Sequence, residues 1–327
     1  MTPRPRSPTI PPEELPTGLQ SLATDPPPTS SEGFLLVLNP GSGSGDDPRE
    51  LHREVATRLP EIRAIQLPDE DLAGAIDQAV SEERVVVAAG GDGTVNAVAQ
   101  HVVGRGTMGV LPAGTLNHFA RDLGLEDVDT AIDTLRAGAV RAIDVGRIGD
   151  RYFVNNAGIG MYPELVYERE RSEDRVGKWL ASAGAAIRVL RQTEPVVGTI
   201  EADGDARALF AWMVFLGNNR FGSTPARLAQ RARMDEGVLD VGLFLAGPQG
   251  ARRSSVAWRV LRSRPWQTSS RVVRRTARQV RVRLEGEPRH VSRDGETGDP
   301  VREIEAEIVP GALRVVSPAE AGASWEG

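Results

Sequence analysis

The heptapeptide Gly90-Gly91-Asp92-Gly93-Thr94-Val95-Asn96 carries the strongest chemical signal in the 327-residue chain. It follows Arg84–Ala89 (RVVVAA), a β-branched run that reads as a strand covered on both faces of a parallel sheet. It opens a helical segment, 94–103. Glycines 90 and 91, without Cβ atoms, let the main chain approach a phosphate closely. Thr94 is placed to cap the helix, so that its first amides and positive dipole end face the anion. Asp92 stands at the carboxyl edge of a strand, where open α/β sheets bind ligands. The bland alternative is a tight turn that happens to hold an acid. One unit later Leu111-Pro112-Ala113-Gly114-Thr115-Leu116-Asn117 repeats the strand–turn–helix logic, with Thr115 and Asn117 placed for a ribose or phosphate. Asn39-Pro40-Gly41-Ser42-Gly43-Ser44-Gly45 follows the first strand and is either a nest of anion-binding amides or a flexible turn. Adjacent parallel strands would bring these turns to one sheet edge.

Composition narrows the chemistry. Of the 39 basic residues one is lysine, Lys178, remote from every glycine turn. A Walker A loop needs a lysine after its glycines and is excluded. Amides, arginine or metal must hold any phosphate. The chain has no cysteine, which removes disulfides, thiolate zinc sites and a cysteine nucleophile together. His52, His101, His118 and His290 show neither HxH nor HExxH spacing, so a histidine-built metal site is not expected. Hydrophobic residues make up 40% and charged residues 26%, the balance of a soluble globular protein. No run approaches the ~20 apolar residues of a membrane span.

The elements that position these turns follow from periodicity. Residues 1–32 hold nine prolines and almost no apolar run, a composition that cannot offset its ordering entropy. They are expected to form a disordered tail, with no secretory h-region. From Gly33 to 140, strands 34–39, 63–67, 84–89 and 108–111 alternate with helices 48–59, 71–82, 94–103 and 115–123. That is the pattern of an open parallel α/β sandwich domain. From 141 to 318 short strands dominate (152–156, 196–201, 210–217, 239–245, 279–284, 304–308 and 313–316), with helical stretches at 172–191 and 249–261. This predicts a mostly antiparallel, β-rich second domain for the acceptor, its last segment able to return to the first domain, and a disordered tail over 319–327.

The ordered set NPGSGSG, GGDGTVNAV, GVLPAGTLNHFARDLGL, IDVG, FVNNAGIG, MDEGVLDV and DGE…PGALRVVSP resembles the diacylglycerol kinase catalytic-domain family, which includes sphingosine, ceramide and bacterial lipid kinases. The likeness covers roughly Gly33 to Pro318. GGDGT alone is shared with NAD kinases and phosphofructokinases and marks a nucleotide site, not a lipid. The resemblance implies a fold with an NAD-kinase-like nucleotide site, ATP as donor and a lipid hydroxyl as acceptor. By it Asn39, Gly41, Ser42, Gly43, Gly90, Gly91, Gly93, Thr94, Asn96, Gly114, Thr115, Asn117 and Asp294 would serve the nucleotide. Asp92 would act through phosphate-bound Mg²⁺ or the acceptor hydroxyl, Glu296 of Asp294-Gly295-Glu296 as general base, and Asp235 with Glu236 as holders of a structural Mg²⁺. Asp144 would join a polar network. Phosphoryl transfer asks for this division of labour, positioning and charge neutralisation plus one proton acceptor. Read from spacing alone, 286–299 is loop, Glu296 and Asp294 could be solvated loop acids, and Asp235-Glu236-Gly237 an ordinary turn.

Two departures stand out. His118 occupies the place of the aspartate in GTxND, and Met161-Tyr162-Pro163 follows GIG where Phe-Asp-Ala is common. Residues 251–284 hold eleven arginines and no acid, so within a chain of net charge −6 the remainder carries −17. With Trp258 and Trp266 this block is a candidate footprint on an anionic membrane; solvated strand arginines are the alternative. No groove-reading motif for nucleic acid appears. The expectation is a cytoplasmic protein, peripherally attached to a membrane, with a homodimer left open. An NAD kinase-like phosphotransferase on a soluble acceptor and a nucleotide-binding module without turnover are the competing readings.

Overall fold

The computed structural model describes residues 33–40, 48–59, 61–68, 71–160, 195–222, 230–246 and 272–318. The expected tails and the helical stretches at 172–191 and 249–261 lie outside the described residues. In chain order the elements are β1 (Phe34–Leu38), α1 (Pro48–Arg58), β2 (Ile62–Gln66), α2 (Leu72–Ser81), β3 (Val85–Gly90), α3 (Asp92–Val102), β4 (Thr107–Pro112), α4 (His118–Asp122), α5 (Val128–Ala137) and β5 (Val140–Ile148). There follow β6 (Arg151–Phe153), β7 (Asn156–Gly160), β8 (Val196–Ala202), β9 (Asp205–Asn218), β10 (Leu239–Leu245), β11 (Val272–Ala277), β12 (Gln279–Leu284), β13 (Arg289–Arg293), β14 (Glu296–Val301) and β15 (Glu303–Val316).

Two compact units interleave along the chain. The first takes the described residues up to Val145, with Gln230–Gly237 and those from Val309 onward; the second takes the rest. The sequence predicts one boundary at 140 and a second domain to 318 whose last segment is able to return to the first, and the residues from Val309 onward do belong to the first unit. The division falls elsewhere because β5 and β15 each run through it, β15 continuing across Pro310 and Gly311 where two strands were expected.

The first unit is a parallel sheet in the order β2-β1-β3-β4-β15, with Leu36 beside both Ala64 and Val87, Val87 beside Gly109, and Arg314 beside Thr107. Every residue of β1, β3 and β4 is buried, as expected for strands covered on both faces. α3 buries Val95, Val98, Ala99 and Val102, the i, i+3, i+4, i+7 stripe of an amphipathic helix. α5 was missed in the sequence although its ends are marked. Asp127 accepts a hydrogen bond from the Thr130 amide (2.7 Å), and Gly138 closes the helix at φ +68°. Leu135 of α5 sits over Gly109 of β4, where a Cβ would lie 2.5 Å from its Cδ2.

The second unit is antiparallel: β14-β13-β7-β9-β8-β12-β15, with β10 between β9 and β11. Alternate residues such as Ile159, Val196, Leu216, Val241, Val282 and Ile304 face one apolar core. β11, β13 and β14 fall in stretches read from sequence as arginine block or loop. Among the described residues no helix is long and apolar enough to cross a membrane.

Gly146 on β5 faces Phe153 on β6, and a Cβ at Gly146 would stand 2.0 Å from the ring. Phe153 is fully buried. Gly146→Ala is expected to cost ~1–3 kcal/mol by overpacking, read as a lower urea midpoint. Phe153→Leu in the same background should recover part of the loss; an unchanged midpoint in Gly146→Ala would contradict this packing.

Candidate functional site

In the first unit the ends of β1, β3 and β4 meet at the carboxyl edge of the parallel sheet. Leu38 stands beside Ala89, and Gly90 beside Pro112. The Asn39 amide donates to the Ala89 carbonyl (3.2 Å), and its Nδ2 donates to Thr94 Oγ1 (3.0 Å). The Ala113 amide reaches the Gly90 carbonyl (3.3 Å). Asn39, the GGDGT turn and the PAGTLN turn are therefore brought together. Gly41, Ser42 and Gly43 lie outside the described residues.

The reasons for the glycines differ from those expected. A Cβ on Gly114 would lie 2.3 Å from Gly91 Cα and 2.7 Å from its nitrogen, and a Cβ on Gly90 would lie 2.3 Å from Thr94 Oγ1. Contact between the turns requires glycine at 114, and the buried Thr94 side chain of the same turn requires it at 90. At Gly93 a Cβ would meet nothing within 4 Å, so that face of the first helical turn is open.

Thr94 does not cap α3. The helix starts two residues earlier, at Asp92, with extended Gly91 as N-cap and no side-chain cap. Thr94 is buried and its hydroxyl accepts from Asn39. The α3 N-terminus thus keeps its dipole and first amides uncapped by a side chain, the arrangement that receives anions.

Asp92 Oδ1 accepts from the Phe119 amide (3.0 Å), and Oδ2 from the His118 amide (3.2 Å). Its carboxylate caps α4 from the neighbouring turn, a charge-favourable place at a helix N-terminus. Asn117, the formal N-cap in a left-handed conformation (φ +50°), folds onto its own turn instead. Its Oδ1 accepts from the Gly114 amide (3.0 Å) and its Nδ2 donates to the Gly114 carbonyl (2.8 Å). Asn117 was expected to reach toward a ligand; its carboxamide closes the turn. Thr115 is exposed at the rim. Asn96, also expected at the ligand, is buried, with its Oδ1 accepting from Gln100 (2.6 Å).

The 230–237 segment belongs to the same unit. Asp144 on β5 accepts from the Gly237 amide (2.7 Å) and the Gly311 amide (2.9 Å), and its own amide donates to the Met234 carbonyl (2.8 Å). Asp235 Oδ1 accepts from Arg233 Nε (2.9 Å), which holds the Arg233 pKa above its ordinary value. Burial lowers the pKa of Arg141, opposed by the charge of Asp235. Among the described residues no three histidine, cysteine, aspartate or glutamate side chains group as metal ligands. With arginines occupying the surroundings of Asp235, the residues present do not fit the structural Mg²⁺ that the resemblance implied.

In the second unit the late DGE is a hairpin and not the expected loop. Asp294 (φ +48°) and Gly295 (φ +89°) form its two-residue turn, pairing Arg293 with Glu296. The Asp294 carboxylate accepts from the amides of Val154 (2.7 Å), Asn155 (2.8 Å) and Asn156 (2.9 Å). It ties the connection between β6 and β7. Glu296 is exposed at the start of β14.

In the described part of the arginine block, four arginines face acidic partners. Arg274 pairs with Asp240 (Nε–Oδ1 2.7 Å), Arg275 with Asp205 (3.0 Å), Arg281 with Glu305 and Arg283 with Glu303 (2.9 Å). These acids come from β9, β10 and β15, which a local charge count does not see. Arg278, also described, donates its amide to Asp203 (2.9 Å); the other six arginines of the block, with Trp258 and Trp266, lie outside the described residues.

A family model described as the diacylglycerol kinase catalytic domain matches residues 33–148, and one described as the YegS C-terminal NAD kinase beta sandwich-like domain matches 168–317. A diacylglycerol kinase of Bacillus subtilis (strain 168) is 32% identical over 229 residues, 68% of this chain and 74% of that protein. The crystal structure of a diacylglycerol kinase from Bacillus anthracis str. Sterne superposes with a TM-score of 0.64 at 19% identity, covering 90% of this chain and 100% of that one. An NAD kinase from Archaeoglobus fulgidus in complex with ATP gives 0.50 at 13% identity, covering 89% and 96%. At these identities the two structures speak for the fold alone.

The glycine geometry generates a paired expectation. Gly114→Ala should be destabilised by roughly 1–3 kcal/mol, read by denaturant unfolding. Gly93→Ala, with open space and a better helix former, should unfold no earlier than the wild type. Equal loss in both variants would contradict the contact between the turns.

Proposed function

The chain belongs to the diacylglycerol kinase catalytic-domain family, and from that membership we propose that it is a lipid kinase, passing the γ-phosphoryl group of ATP to the hydroxyl of diacylglycerol or a related lipid alcohol. The observation that carries the nucleotide half is the α3 N-terminus, uncapped by any side chain, with the open Cα of Gly93 beside it. Gly90, Gly91 and the PAGTLN turn frame it, and Asn39 leads into the Gly41-Ser42-Gly43 loop that we assign to the phosphates. The relatives named diacylglycerol kinase support the lipid half, and the ATP complex of the structural neighbour supports the donor.

In this proposal the acceptor oxygen attacks the γ-phosphorus. A new P–O bond forms, the bond to the β-phosphate oxygen breaks, ADP leaves with the electron pair, and the hydroxyl proton passes to Glu296. Mg²⁺ bound to the nucleotide would supply the neutralising charge. Asp92 contributes a carboxylate held at a fixed angle by two amides, so its orientation is set before ligand arrives. The lipid implies peripheral attachment to a membrane from the cytoplasmic side, and residues 252–271, with six arginines and two tryptophans, are the proposed contact. The fold likeness to an NAD kinase keeps a soluble acceptor as the second reading.

Labelled ATP offered with NAD and diacylglycerol side by side separates the two; labelled phospholipid is expected. Labelled NAD would favour the second reading, and no product from any lipid extract would leave a binding module without turnover. Glu296→Gln should lower turnover ~10²–10⁴-fold with nucleotide affinity kept. Asp92→Asn keeps one acceptor oxygen for α4, so it should fold and bind nucleotide but lose turnover by at least ~10²-fold. Full activity in Asp92→Asn would remove that carboxylate from the chemistry and leave it a cap.

A further inference from the structure

The 230–237 segment is fixed at its start by a buried pair that neither motif reading nor family resemblance assigned. Arg231 is fully buried and its side chain has no exposed surface, while that of Asp122, the last residue of α4, is 3% exposed. Arg231 Nε donates to Asp122 Oδ2 at 2.6 Å, and the Arg231 amide donates to Oδ1 at 3.1 Å. One carboxylate thus holds both the side chain and the main chain of Arg231. Surface ion pairs contribute little, but removing one partner of a buried pair leaves an uncompensated charge and is strongly destabilising.

We propose that Arg231 and Asp122 form a built-in guanidinium–carboxylate clamp that holds this segment without a divalent cation. The other end of the segment supports the same conclusion, since Asp144 binds the amides of Gly237 and Gly311. The acid between the two ends, Asp235, already faces Arg233, with Arg141 in its field. A divalent cation at Asp235 would compete with Arg233 and share the site with the neighbouring guanidinium groups, whose like charge opposes it. The clamp also completes the anchoring of α4. Asp92 holds its first amides and Asp122 its last turn to Arg231.

The test is thermal unfolding of the full chain without nucleotide or lipid, so it stands apart from the proposed activity. The wild-type Tm should be the same in EDTA and in millimolar Mg²⁺. Arg231→Met should lower it by roughly 5–15 °C, and Arg231→Lys by less. Arg231→Met with Asp122→Leu should recover most of the loss, because the damage comes from a buried charge left alone. A wild-type Tm that rises with Mg²⁺ and falls with EDTA would overturn the clamp, as would Arg231→Met melting like the wild type. Should Arg231→Met fail to fold, the EDTA comparison and Arg231→Lys still decide. Resting on the proposed kinase reading, turnover should track the Mg²⁺–nucleotide complex, with no requirement for Mg²⁺ in excess of it; such a requirement together with a Mg²⁺-dependent Tm would refute the clamp.

Discussion

The contact between Gly91 and Gly114 is the constraint from which the rest of the first unit follows. β3 and β4 are adjacent parallel strands, and neighbouring strands lie only ~4.8 Å apart. Both end at the same edge and both lead into helices. Two chains turning into helices at that spacing must cross nearly in van der Waals contact, and a Cβ on Gly114 would collide with the main chain of Gly91. Once the turns touch, the carboxylate of Asp92 can span to the amides of His118 and Phe119. The close approach creates the cap, and the cap fixes the direction of α4.

Aspartate used as a staple for backbone amides recurs through the molecule. Asp92 holds residues 118 and 119, Asp144 holds 237 and 311, Asp294 holds 154 to 156, and Asp203 holds 278 and 279. Each joins main-chain segments distant in sequence, at places where donors would otherwise lack a regular partner. A short side chain suits this work because little rotamer freedom is lost in fixing it. The same residue type serves catalysis and metal binding in phosphotransferases, so an acid in a motif does not announce its task. Asp294 shows the ambiguity most plainly. Its motif suggested a ligand contact, and both its oxygens hold backbone.

Where the sequence was legible, the signal was local. RVVVAA reads as a doubly covered strand because burial on both faces demands continuous apolar residues, and β3 has that character throughout. The convergence of the ends of β1, β3 and β4 followed from parallel pairing alone. The Asp294-Gly295 hairpin and α5 were also written locally, as an Asp-Gly turn and as Asp127 with Gly138. Other features had no local signal. Four acids from β9, β10 and β15 neutralise arginines that appear as an unbroken basic block in the sequence. Arg231 and Asp122 are separated by 109 positions, and only tertiary structure identifies them as one buried pair. The glycines were found correctly for an incomplete reason, since the motif shows that no Cβ fits but not which atom excludes it.

The carboxylate of Asp92 and the uncapped end of α3 pull in opposite electrostatic directions. Helix amides attract an anion, while a fixed negative charge one residue away repels it. In many phosphate sites a lysine resolves this conflict, and the single lysine of this chain, Lys178, follows no glycine turn. A triphosphate approaching this edge therefore needs a countercharge that travels with it or comes from arginine. A nucleotide carrying its own divalent cation meets the requirement, because the cation converts the repulsion from Asp92 into attraction while the amides keep the phosphate oxygens. Under the proposed kinase function, the acid in the glycine turn would favour a metal-borne polyphosphate over a bare one. That preference would be hidden by any assay in which free and metal-bound nucleotide are not varied separately.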